Sequence, residues 1–214
     1  MIPPKPQDIL QKHKPLLRLL VEALRKGTRH AQHYSDWQDE DLDRTLAPAL
    51  VRKGAKRHLL AQGTSVADEE VEYEPEYLPN LGLAIAADGI LIRILKSDDG
   101  MLPPPGPSKK RQSFYKQQLP LFPELDDNTT TSAPATVNLV LHWSPDEEYN
   151  LNRVYLACPE DGDTTKASVK AYWDEPIWRR TSVFTDSKTQ QEEAEIQDLE
   201  IYLEADEKSG EGEG

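Results

Sequence analysis

Cysteine is almost missing from this chain. The single thiol, Cys158, excludes an internal disulfide and any multi-cysteine metal site, and it suits a reducing compartment. No apolar run approaches the roughly 20 residues that span a bilayer. The opening Met1-Ile2-Pro3-Pro4-Lys5-Pro6 has no hydrophobic signal region, so a cytoplasmic protein is expected. Apolar residues are scarce too, at 37% with a mean hydropathy of −0.70, which points to one modest core in 214 residues with solvated attachments. Glycine-rich phosphate loops are absent, and so is a Gly-x-Ser-x-Gly elbow, which removes the commonest nucleotide-binding and hydrolase signatures.

What is abundant is negative charge, and it is unevenly placed. The formal net charge is −13, yet residues 1–62 carry 12 basic and 7 acidic side chains, a net of +5. Residues 63–136 are at −6 and residues 137–214 at −12. From Asp186 to Gly214 there are 11 acids against 2 lysines, a composition too polar to offset its own ordering entropy. Seven of the 17 prolines lie between Pro103 and Pro134, beside Asp126-Asp127-Asn128-Thr129-Thr130-Thr131-Ser132. The chain therefore divides into a basic helical segment (1–63), an acidic linker with a hairpin (64–96), a proline-rich flexible loop (97–136), further strands of the same domain (137–185) and an acidic tail (186–214).

Apolar residues from Ile9 to Leu24 recur at helical spacing, with Pro15 in a first turn and Gly27 as a stop. Ser35 and Gln38 resemble a capping box that opens a second helix carrying Trp37, Leu42 and Leu46. Pro48 then kinks that helix or starts a third, reaching Gly63. Asp88-Gly89 between Leu83–Ala87 and Ile90–Lys96 is a strong hairpin signal. Val137–Trp143, Arg153–Cys158 and Ala167–Trp173 read as further strands. Helices followed by strands imply an α+β fold, with a mainly antiparallel sheet of about five strands whose helices cover one face and leave the other wet.

Candidate chemistry is thin. Cys158 before Pro159 reads as a buried small hydrophobe, and His142 beside Trp143 as a satisfied core histidine. His30, His33 and Asp36 share one side of a helical projection, a spacing that could hold zinc for a metal hydrolase, but they read better as a polar interhelical turn. Glu69, Glu70, Glu72, Glu74 and Glu76 form a contiguous run before the first strand, the pattern of a solvated face. No catalytic residue, cofactor or metal ligand is assigned, and a non-enzyme is expected. Two basic groups stand out as nucleic-acid contacts: Arg52, Lys53, Lys56 and Arg57 on a helix, and Lys109, Lys110 and Arg111 next to Phe114 and Tyr115, whose rings could stack on bases.

Directly after the second group comes Gln117-Gln118-Leu119-Pro120-Leu121-Phe122-Pro123, three large apolar side chains in a polar, proline-rich stretch. They either pack on the protein's own core or serve as an extended peptide ligand whose apolar anchors fill a partner's pockets. Gln118-Leu119-Pro120-Leu121-Phe122 resembles the Gln-Leu-x-Leu-Phe pentapeptide by which bacterial replication and repair proteins dock on the sliding clamp of the replicative DNA polymerase. The resemblance covers five residues. It implies that Gln118 hydrogen-bonds at one subsite, Leu119 packs at the rim, and Leu121 and Phe122 fill the main cleft. The expected function is then that of a non-enzymatic bacterial accessory protein in replication, repair or mobile-element biology, tethered to the clamp while its basic helices approach DNA. The rival is a regulatory, antitoxin-like binding module that uses the acidic tail and its amphipathic piece Ile196–Leu203.

Overall fold

In the computed structural model of the chain, the described residues are 3–38, 41–62, 65–66, 69–70, 72–78, 82–98, 100–117, 136–162 and 169–180. Helix α1 (Pro6–Lys12) begins on a proline whose missing N–H is no loss in a first turn. It ends at His13, because Pro15 lacks the N–H that a continuing helix would need. Helix α2 (Lys14–Gln38) then runs unbroken for 25 residues, and α3 (Ala47–Gln62) returns against it. The connection is turned by Asp43, whose carboxylate accepts the backbone N–H groups of Thr45 and Leu46.

Gly27 is therefore not a helix stop. It lies inside α2 because the helices cross there: a Cβ at Gly27 would sit 2.4 Å from the Val51 carbonyl oxygen, and one at Gly54 only 2.9 Å from His30 Cβ. Two glycines let the backbones touch, and packing outweighs the conformational cost of glycine within a helix. Ser35 lies within α2 rather than opening a second helix. Trp37 is 78% exposed in the last turn, and Leu46 precedes α3.

Short strands β1 (Ser65–Val66) and β2 (Glu69–Glu70) pair with each other. A six-stranded sheet follows, in sequence order: β3 (Tyr73–Leu78), β4 (Gly82–Ala87), β5 (Ile90–Lys96), β6 (Val137–Pro145), β7 (Leu151–Pro159) and β8 (Ala171–Arg179). All neighbours are antiparallel except β5 and β6, which run parallel and are joined by residues 97–136. The fold is α+β, as expected. The hairpin turns at Asp88-Gly89, with Gly89 at φ 72°.

The sheet has six strands, one more than the five candidate strands of the sequence, because the acidic run contains β3. Tyr73, Pro75 and Tyr77 alternate with Glu74 and Glu76 at strand period, and the Tyr73 hydroxyl donates to the Leu59 carbonyl at 2.8 Å. The last strand lies nearer the C-terminus than the alternation around Val169 indicated, at Ala171–Arg179. It contains Pro176, which an edge strand tolerates, and a register shift opposite Val154 and Tyr155 accommodates it.

Alternate side chains build two cores. On one face Ile85, Ile92, Leu139, Leu141 and Val154 pack against Leu16, Leu20, Leu24, Val51 and Leu59 of the helices. On the other face Leu91, Val140 and Ala157 meet Leu102, Phe114 and Tyr115. That second face is thus covered, not wet. Residues 100–117, expected as flexible loop, lie over it and include the seven-residue helix α4 (Lys109–Tyr115). The remainder of the loop, residues 118–135, and the tail from residue 181 lie outside the described residues.

Candidate functional site: a pinned loop stem and an arginine cluster

Of the sequence-derived basic residues, Lys53, Arg57, Lys109 and Lys110 are exposed, whereas Arg52, Lys56 and Arg111 are half-buried. Phe114 and Tyr115 are both 0% exposed, so neither ring is available to stack on a base, which corrects that expectation. Their burial follows from helical spacing. In α4 the apolar end turns into the sheet while Lys109 and Lys110 stay in solvent. The Tyr115 hydroxyl donates to the Pro103 carbonyl at 2.6 Å, and burial pushes its pKa well above the ordinary tyrosine range.

An unforeseen arginine completes this region. Arg93 occupies the centre of β5, between Ile92 and Ile94, whose side chains enter the helix-side core. The strand's alternation turns Arg93 to the opposite face, with Leu91 and below α4. It is 8% exposed, and its Nε has no hydrogen-bond partner. Burial lowers its pKa to about 10, helped by the positive charges of Arg111 and Arg52 and opposed by Tyr115. The Nε of Arg111 is likewise buried without a partner, and one of its terminal nitrogens would stand 3.3 Å from a Cβ on Gly106. Arg52 feels burial first, then Tyr149 and Arg111. The fold thus brings Arg52 and Arg111, from separate basic groups, into electrostatic range of Arg93. A lone arginine in the run Ile-Leu-Ile-Arg-Ile-Leu was the available sequence signal.

Beside α4 the backbone turns at Gln117, with φ 57°. The Gln117 side chain closes the base of the loop. Its amide nitrogen donates to the carbonyls of Asn138 at 2.7 Å and Pro159 at 3.2 Å, and its Oε1 accepts the Asn138 N–H at 2.8 Å. Asn138 Nδ2 in turn donates to the Phe114 carbonyl at 3.1 Å. The two ends of segment 118–135 are therefore joined at one place on the sheet. Gln118, Leu119, Leu121 and Phe122 themselves lie outside the described residues.

Other candidates are accounted for structurally. His30, His33 and Asp36 all lie in α2 rather than in an interhelical turn. Burial and then the charges of Lys53 and Arg57 lower the His30 pKa, an electropositive setting that opposes a cation. Among the described residues no three His, Cys, Asp or Glu side chains converge in a metal-binding group. His142 is fully buried on the same sheet face as Arg93, stacked on Tyr155 at 5.0 Å and paired through Nε2 with Asp174 Oδ1 at 2.9 Å. Cys158 is buried, and burial pushes its thiol to about 12. A groove of about 680 Å³ between α2 and the β6–β7 turn is lined by Arg29, Asp36, Arg44, Glu147 and Tyr149. Its mixed charges converge on no common ligand chemistry. Within the described residues no helix is long and apolar enough to cross a membrane. The chain matches no protein-family model, no curated protein and no solved structure.

Proposed function

We propose that the protein is a bacterial accessory factor that docks on the DNA polymerase sliding clamp through Gln118, Leu119, Leu121 and Phe122, and that it holds its basic surface near DNA. The observation that supports this reading is the stem. Gln117, the residue before the motif, is fixed to Asn138 and Pro159 by three hydrogen bonds of its side chain. The chain therefore enters the motif from a fixed point on the sheet. A peptide displayed from a pinned stem loses less chain entropy on docking than one in a free tail. The exposed Lys53 and Arg57 on α3, and Lys109 and Lys110 on α4, supply positive charge despite the acidic total. Clamp tethering would raise their local concentration at DNA without any chemistry of the protein's own.

The test is displacement. A fluorescent peptide with a known Gln-Leu-x-Leu-Phe sequence is bound to purified clamp, and the full chain is titrated against it while anisotropy is read. The full chain competes, and the Leu121→Ala/Phe122→Ala variant competes at least tenfold less well, since two buried apolar anchors are worth about 2–4 kcal/mol. Equal competition by both proteins, or none by either, rejects the reading.

A further inference from the structure

We propose that Arg93 and Arg111 form an oxyanion site, beneath and beside α4, that takes a phosphate group. The proposal does not depend on the clamp reading. A buried guanidinium is normally matched by a carboxylate or by several carbonyls, because removing its hydration without replacement is costly. Among the described residues Arg93 has no such match for its Nε: the side chain is 8% exposed, its Nε is unpartnered, and it forms no ion pair. The charge that acts on it most strongly is a second cation, Arg111, on the helix that covers this sheet face, and its Nε is also orphaned.

Two acceptors on this face are already committed elsewhere. The Tyr115 hydroxyl is committed to the Pro103 carbonyl, and the carboxylate of Asp174 on the same sheet face is committed to His142. Two like charges in electrostatic range, each with an unused Nε donor, call for a shared anion. A carboxylate is saturated by a single guanidinium fork, whereas a phosphate offers three acceptor oxygens and up to two charges, which suits two forks at once. Lys109 and Lys110, exposed in the first turn of α4, extend the positive surface outward from Arg111. That extension fits a phosphate carried on a larger molecule as well as inorganic phosphate. The shared chemistry is a phosphate oxyanion.

The experiment uses the full chain and two probes: inorganic phosphate, and a labelled single-stranded oligonucleotide. Thermal unfolding is followed in phosphate and in chloride at matched ionic strength. For a millimolar site, 20 mM phosphate raises the midpoint by about 4 °C over chloride. Arg93→Met removes the charge but keeps the stem, so it melts no lower than wild type in chloride and shows no phosphate response. Should that variant fail to fold, Arg111→Gln on the half-buried helix face carries the same loss of response. If phosphate displaces the oligonucleotide and Arg111→Gln weakens its binding at least fivefold, the site reads a phosphodiester. If phosphate stabilises the protein but the oligonucleotide does not bind, it reads free phosphate or a monoester. Equal midpoints in phosphate and chloride overturn the proposal, as does a phosphate response that survives in Arg93→Met and Arg111→Gln alike.

Discussion

Replacing Gly27 by alanine puts the helix crossing to a demanding test, because propensity and packing make opposite forecasts. In an isolated helix the change is favourable by about 1 kcal/mol. Here the new methyl would lie 2.4 Å from the Val51 carbonyl oxygen and 3.1 Å from both the Val51 carbonyl carbon and its Cγ1. An ordinary carbon–oxygen contact needs about 3.3 Å, so α2 and α3 would have to part by roughly 0.9 Å at their closest point. The blocking atom belongs to a backbone within a helix, which cannot rotate away. Overpacking of this kind costs about 1–3 kcal/mol, and a backbone clash belongs at the upper end. After the propensity gain is subtracted, the net loss is about 2 kcal/mol, or roughly 4–8 °C in midpoint for a chain of this size. Urea unfolding monitored by far-UV circular dichroism measures it. Adding Val51→Ala should not restore stability, since that change removes the Cγ1 contact and leaves the oxygen. A Gly27→Ala protein as stable as wild type, or more so, refutes the close crossing.

Three further outcomes follow from buried polar groups. Asp174→Ala leaves His142 Nε2 buried without its 2.9 Å partner and lowers stability by about 2 kcal/mol in the same assay, while an unchanged midpoint would show the pair to be dispensable. Gln117→Ala strips the loop stem and orphans the Asn138 N–H, a loss of about 1–3 kcal/mol. Amide exchange at Asn138 should accelerate, and unchanged protection there counts against the stem. The third concerns alkaline pH. Burial raises the thiol of Cys158 and the hydroxyl of Tyr149 to about 12 from ordinary values of 9 and 10. The folded state therefore holds these protons after the unfolded chain has released them, and stability is complete below pH 9 and falls as pH rises from 9 towards 12. The slope reaches about 1.4 kcal/mol per pH unit for each group. Cys158→Ala should flatten the first part of the decline and Tyr149→Phe the part above pH 10, whereas profiles that superimpose on wild type would contradict the burial of both groups.

The sequence was most readable where local signals and tertiary packing agree. The Asp88-Gly89 hairpin, the buried Cys158 and His142, and the order of helices before strands all follow from turn chemistry and apolar patterning. Misreadings arose where one residue type serves two physical ends. Gly27 has the composition of a helix stop, but its missing side chain is used by a neighbouring helix that no local window contains. Glu74 and Pro75 disfavour a strand interior, so the period of two in β3 was hidden by its charge, although an edge strand accepts both. The basic character of Lys109-Lys110-Arg111 and its proline-rich setting concealed an element that buries Phe114 and Tyr115 completely. For the candidate sites, Arg52 and Arg111 were legible as cations, but the placing of Arg111 over the face that bears Arg93 depends on strand alternation and on the covering of the second sheet face. The clamp-like pentapeptide was legible only as a motif, and it lies outside the described residues.

The most direct measurement of the central claim is isothermal titration of the full chain into purified bacterial sliding clamp. The account predicts a saturable, one-site-per-protomer isotherm in the micromolar range. Leu121→Ala/Phe122→Ala abolishes the heat, and removal of residues 186–214 leaves it unchanged. An isotherm that survives the double alanine variant, or that vanishes with the acidic tail instead, contradicts it.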